Sequence, residues 1–159
     1  MAAENIVQVS GFEYLILRTQ VLYGTGSKVR PNFVTWLLDN LKAGKKVQVV
    51  WDQIGSPTYA SDVAEAAERL LQAQAYGLFH VSSPDTMSRF DFAQKIAEVF
   101  KLDSALIEKI KTTDLSQKSP RPQNSSFNLD KIYNNINWQP RSVEQALEQL
   151  KSEMAKKHD

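Results

Sequence analysis

The stretch "VQVVWDQIGSPTYASDVAEAAERLL", residues 47–71, changes its hydrophobic period within one turn. Residues 47–51 are an apolar run too short for a helix and rich in valine, which predicts a buried strand. After a loop holding Gly55 and Pro57, the residues Val63, Ala66, Ala67, Leu70 and Leu71 recur at helical spacing, with Ser61 or Asp62 expected as the cap. A strand that passes straight into a helix is the unit of an α/β fold. A parallel neighbour can be reached only by a crossover of about a dozen residues or more.

Working outward, the same alternation continues on both sides. Residues 14–19 and 77–81 read as further strands. After "RPN", Phe33, Trp36, Leu37 and Leu41 predict a helix that Gly44 stops. Ser88-Arg89-Phe90-Asp91 resembles a capping box, followed by Phe92, Ile96, Val99 and Phe100 on one face. A short helix is expected over 104–110. A last one starts at Ser142, with Gln145 three residues on, and buries Val143, Ala146, Leu147, Leu150 and Met154. The N-terminal "AAENIVQVSG" reads as the end of an amphipathic helix closed by Ser10-Gly11; with no cap before it, the chain is expected to start in mid-fold. The order β-α-β-α-β-α-α predicts α/β with three parallel strands, a polar loop at 112–128 and a tail that frays from residue 150.

At 159 residues the chain makes a single domain able to bury roughly 70% of its unfolded surface. Nineteen basic and 18 acidic residues leave a net charge of +1, which gives no reason to expect a nucleic-acid partner. Cysteine is absent, and His80 and His158 lie far apart, so no thiolate or histidine metal site is expected. No apolar run approaches the ~20 residues of a membrane span and the N-terminus is unlike a secretion signal; the expectation is a cytoplasmic protein.

Three motifs carry candidate chemistry, and each also has an ordinary structural reading. "RTQVLYG" delivers Arg18, Thr19, Tyr23 and Gly24 from a strand end, or is merely a strand closed by a glycine turn. "DQIGSPT" places Gln53, Ser56, Pro57 and Thr58 where a strand meets a helix, the end of an α/β sheet where ligands sit, or is a capped loop. "SPRPQNSSFN" holds Arg121 between two prolines, a rigid setting for a guanidinium that meets phosphate, with Asn124 and Ser125 beside it, or is a surface turn. Asp52 alone is no evidence of acid–base chemistry. The chain has no P-loop, no G-x-G-x-x-G after a strand and no tyrosine followed four residues later by lysine. It reads as the binding half of a site.

Taken together, "YLILRTQVLYG", "NFVTWLLDNLKAGKKVQVVWDQIGSPTYASDVA", "GLFHVSS", "SRFDFAQKIAEVF" and "RPQNSSFNLDKI" resemble, in order and spacing, the dTDP-4-dehydrorhamnose reductases among the extended short-chain dehydrogenases. The resemblance runs from about Ala2 to Leu150, is most specific at "DQIGSPT" and "RPQNS", and matches only the second half of such enzymes. It implies an incomplete Rossmann-type fold: residues 1–159 as the substrate-binding half, with 1–24 the last strand region of a dinucleotide-binding domain missing from this chain. It implies a full-length parent that reduces the 4-keto group of a dTDP-deoxysugar with NADPH or NADH to give dTDP-L-rhamnose, whereas this chain alone binds no cofactor and transfers no hydride. Gln53, Ser56, Pro57 and Thr58 would line the sugar-diphosphate pocket, and Arg121 with Asn124 would hold the phosphates. Arg18, Thr19, Tyr23 and Gly24 would form the floor beneath nicotinamide and sugar. Val21 stands where the family often has a sugar-contacting tryptophan. Core surface left bare by the missing half is expected to drive a dimer or a strand exchange. The alternatives are a regulatory protein like the methionine adenosyltransferase regulatory subunit, and a sugar-nucleotide epimerase or dehydratase relative.

Overall fold

The computed structural model describes residues 2–26, 30–115, 119 and 121–156; His158 and Pro120 lie outside them. The chain is α/β, with short, mostly parallel strands and several helices. After helix α1 (Ala2–Gln8) come β1 (Leu15–Arg18), β2 (Leu22–Tyr23), α2 (Phe33–Lys42), β3 (Val47–Val50), β4 (Ile54–Gly55), β5 (Thr58–Tyr59) and α3 (Ala60–Gln72). Then follow β6 (Gly77–His80), β7 (Met87–Ser88), α4 (Arg89–Phe100), β8 (Ile107–Ile110), α5 (Asp130–Asn135) and α6 (Val143–Lys156).

The strands form four two-stranded ladders rather than one three-stranded sheet. The first and third of the expected strands pair in parallel as β1–β6, with Leu15 opposite Gly77. The second, β3, pairs with neither of them. Its partner is β8, with Val47 opposite Ile107, in the segment expected to be helical. Only Ser104–Leu106 there make a helical turn, of the 3-10 kind. Asp103 caps that one turn, but pairing the β-branched Ile107 and Ile110 with Val47 and Val50 of β3 stabilises the segment more than a helix of so few residues would. Two residue pairs add β2–β5, parallel, and β4–β7, antiparallel.

Helix starts follow local chemistry. Asn32 accepts hydrogen bonds from the Val34 and Thr35 amides while Thr35 Oγ1 accepts from the Asn32 amide, a closed capping box for α2. The Ser88 hydroxyl accepts from the Asp91 amide at α4, and Ser142 and Gln145 cap each other at α6. At α3 neither expected cap is used. The helix opens at Ala60, Tyr59 occupies the cap position without a side-chain bond, and Asp62 is committed to an ion pair. The tail expected to fray is helical to Lys156 because Leu150 is fully buried.

Two apolar cores result. The larger joins Leu37 and Leu41 of α2, Phe92 and Ile96 of α4, and Leu147 and Leu150 of α6 over β3–β8. At about 2 kcal/mol for each large side chain, α4 is its keystone. The smaller lies between α3, β1–β6 and α5, around Leu70, Phe79, Ile132 and Trp138.

Candidate functional site

The site is assembled where the chain leaves β3. Asp52 accepts hydrogen bonds from the Thr112 amide at 2.9 Å and from its hydroxyl at 2.7 Å, which fixes the turn and holds the Asp52 carboxyl below its ordinary pKa. The chain then enters β4, whose edges are taken by two different segments. On one side Ile54 faces Ser88 of β7, and the Arg89 amide donates to the Gln53 carbonyl at 3.0 Å. On the other, the Ile54 amide donates to the Gln123 carbonyl at 2.7 Å and the Ser125 amide donates back to the Ile54 carbonyl at 3.0 Å. A third segment is tied in by Gln20, whose amide nitrogen donates to the Ser125 carbonyl and whose oxygen accepts from the Ser125 hydroxyl.

These ties bound a cleft of about 250 Å³ lined by Gln20, Val21, Gln53, Pro57, Arg89 and Arg121, among others. A second hollow of about 240 Å³ adjoins it, walled by Phe33, Trp36, Val50 and Leu115. Gln53, Arg89 and Arg121 line both, so they stand at the junction. The Arg89 guanidinium lies over the Phe33 ring at 5.2 Å. Burial, and then the charge of Arg121, pull its pKa below the ordinary value. Among the described residues neither Arg89 nor Arg121 has a carboxylate partner, whereas Arg18, Arg69 and Arg141 each have one. An apolar-walled cleft with two unneutralised guanidiniums at its waist suits an elongated ligand with anionic charge in its middle.

The ten residues singled out in the sequence do not all meet there. Gln53, Pro57 and Arg121 do. Ser56 and Thr58 are buried behind the wall, Ser56 beside the Thr86 hydroxyl at 3.3 Å and Thr58 donating to the Ser56 carbonyl at 3.2 Å. Asn124 faces the neighbouring groove beside Trp51, and its carbonyl accepts from the amide and hydroxyl of Ser126. Of the residues expected beneath a cofactor, Arg18 is turned outward and held by Glu4 at 2.7 Å. Tyr23 is core: it packs against Tyr59 and Phe92, and burial raises its pKa. Gly24 is packed so closely that a Cβ there would meet Ala60 Cβ at 3.1 Å. The Thr19 hydroxyl is buried without a hydrogen-bond partner.

Val21, the position of the family tryptophan, does line the cleft, with the left-handed φ of 45° that β-branched residues rarely adopt. Sequence reading missed Gln20 and Arg89. Arg89 had a signal: it opens α4, where a positive charge opposes the helix dipole, and an arginine kept in such a place calls for a reason. His80 stacks on Phe127 at 4.3 Å, away from the cleft. Among the described residues no strand passes through a G-x-G-x-x-G turn into a helix.

The model of the RmlD substrate binding domain matches residues 1–156, and the chain belongs to that family. A dTDP-4-dehydrorhamnose reductase from Aggregatibacter actinomycetemcomitans is 31% identical over 149 residues, 87% of this chain and 50% of that protein. Methionine adenosyltransferase 2 subunit beta from Danio rerio is 30% identical over 123 residues, 74% of this chain and 38% of its own length. Among solved structures, dTDP-4-dehydrorhamnose reductase from Bacillus anthracis in complex with NADP superposes with a TM-score of 0.88 at 32% identity, covering 96% of this chain and 53% of that one. The chain spans between 40% and 51% of the length of the first curated relatives it matches.

Proposed function

We propose that the cleft binds a dTDP-deoxysugar, and that this chain is the substrate-binding half of an NAD(P)H-dependent dTDP-4-dehydrorhamnose reductase. The observation that carries this reading is Arg121: a guanidinium without a carboxylate partner among the described residues, lining a cleft in a chain of this family, on a segment pinned to β4. In this reading Arg121 binds the diphosphate, and Gln53 and Pro57 contact the sugar-diphosphate. Ser56 and Thr58 hold the wall from behind, and Asn124 sets the turn that presents Arg121. The end of β1, with Arg18 and Thr19 and with Tyr23 and Gly24 packed beneath, faces a nicotinamide carried by a dinucleotide-binding half. That half supplies the hydride and the proton; the residues of this chain bind and orient the sugar. On its own the chain reduces nothing.

The test is calorimetric titration of the purified chain with dTDP. Saturable binding, displaced by a dTDP-sugar, is expected; its absence overturns the reading. A second reading, a regulatory subunit, draws support from the 30% identity to the Danio rerio protein. It predicts co-purification with a synthetase and indifference to dTDP. In the reductase reading, the apolar residues Ile6, Val9 and Phe12, which are 70%, 82% and 79% exposed, meet the dinucleotide-binding half. The same residues should make the chain self-associate, and a sedimentation mass of one 18.0 kDa chain at high concentration would count against that.

A further inference from the structure

Arg89 is a costly charge to maintain. It sits in the first turn of α4, where the helix dipole repels a cation. It is half-buried, and it shares the cleft with the like charge of Arg121. Its only ring partner is Phe33, and no carboxylate answers it among the described residues. Its backbone is nevertheless fixed: the amide is bonded to the Gln53 carbonyl, and the preceding Ser88 hydroxyl both caps α4 and donates to Asp91 at 2.7 Å. Asp91, the carboxylate nearest in sequence, is thereby turned to the cap and lines the opposite groove.

We propose that Arg89 is a specificity-determining residue of the cleft, and that with Arg121 it selects ligands with two adjacent negative charges, a diphosphate over a monophosphate. Two guanidiniums lining both hollows suit the two charges of a nucleoside diphosphate esterified to a sugar, with nucleoside and sugar extending to either side. A singly bridged monophosphate leaves one guanidinium facing its twin. The ligand also removes the Arg89–Arg121 repulsion, so binding energy is gained where the free protein is strained. This inference rests on the nucleotide-sugar reading above for the identity of the ligand, but not for the diphosphate itself.

The experiment titrates wild-type protein and Arg89→Gln with dTDP, dTMP and inorganic pyrophosphate, and melts both proteins without ligand. Arg89→Gln should lose about tenfold or more in affinity for dTDP and pyrophosphate. For dTMP it should lose about threefold or less. Its thermal midpoint should be unchanged or higher, because the dipole and like-charge penalties are gone. A residue kept for packing on Phe33 would lower the midpoint. Should the variant fold poorly, arginine-selective dicarbonyl modification of the wild type decides. dTDP should shield Arg89 and Arg121 while the exposed Arg30 reacts as before. Unchanged dTDP affinity in Arg89→Gln, equal losses for dTDP and dTMP, or an Arg89 that dTDP does not shield would each overturn the proposal. Wild-type protein that binds pyrophosphate but gains nothing from the nucleoside would defeat the dTDP-sugar reading and leave the arginine pair standing. Binding of neither anion would defeat the pair.

Discussion

Two regions of this molecule hold arginines in opposite ways. At the start of α3, Arg141 reaches across from the head of α6 to Asp62, donating to its carboxylate from both backbone and guanidinium, with Glu65 at 3.6 Å. Asp62 is only 3% exposed, so the pair ties two helices together through a charge that cannot be left alone. At the cleft, Arg89 and Arg121 line the same space, and among the described residues no carboxylate meets either. The first charge is answered within the chain; among the described residues the second pair is not.

Substitutions should separate the two regions cleanly. The largest effect is expected from Arg141→Ala, which strands the Asp62 carboxylate and should cost about 2–3 kcal/mol of stability, read as a lower urea midpoint with dTDP affinity per folded molecule unchanged. Arg121→Ala should do the reverse, weakening dTDP by about 1.5–3 kcal/mol in calorimetry while the midpoint stays put. If both variants lose stability and neither loses affinity, the contrast between the regions collapses.

A smaller effect sharpens the cleft. A Cβ at Gly55 would stand 2.7 Å from Gln20 Oε1, so Gly55→Ala must displace the side chain that ties Ser125 to the wall. About 1 kcal/mol of stability and a matching loss of dTDP affinity are expected; a neutral variant would show that the Gln20 tie is dispensable.

Two aspartates should answer acid with opposite signs. Burial, only partly offset by Arg141, raises the Asp62 pKa. Its folded form binds a proton more readily than the unfolded chain, so its contribution to stability grows as pH falls toward its ordinary value of 3.8. The Thr112 hydrogen bonds lower the Asp52 pKa, so its contribution is present above 3.8 and is lost as pH falls further. Urea midpoints of wild type, Asp62→Asn and Asp52→Asn between neutral and acid pH measure both slopes; slopes of the same sign would refute the assignment. The smallest effect belongs to Arg18→Gln. Its pair with Glu4 is open to solvent, and no change in midpoint should be measurable.

Much of the fold was legible because its signals are local. Asn32, Ser88 and Ser142 announce their helices through bonds that span three residues, and the apolar periods of α2, α4 and α6 need no knowledge of the rest of the chain. Residues 104–110 were misread for the same reason. Nothing in seven residues says that Ile107–Ile110 will lie beside Val47–Val50, sixty positions away in register. The candidate site divides in the same way. Gln53, Pro57 and Arg121 could be picked out because a loop after a strand and an arginine beside proline are visible in the sequence. Tyr23 could not be told from a cleft residue, since an aromatic at a strand end serves a wall and a core equally well.

By itself, the sequence determined the α/β class, the family, the places where most helices begin and the presence of Arg121 in a proline-flanked loop. These depend on short-range hydrogen bonding, side-chain period and the order of a few motifs. Only the tertiary structure decided that β3 takes β8 as its partner, that Ser56 and Thr58 stand behind the wall, and that Arg89 and Arg121 share one cleft. Strand pairing and charge juxtaposition are settled by the packing of segments distant in sequence, where the free energy of a residue depends on which neighbours the rest of the chain brings to it.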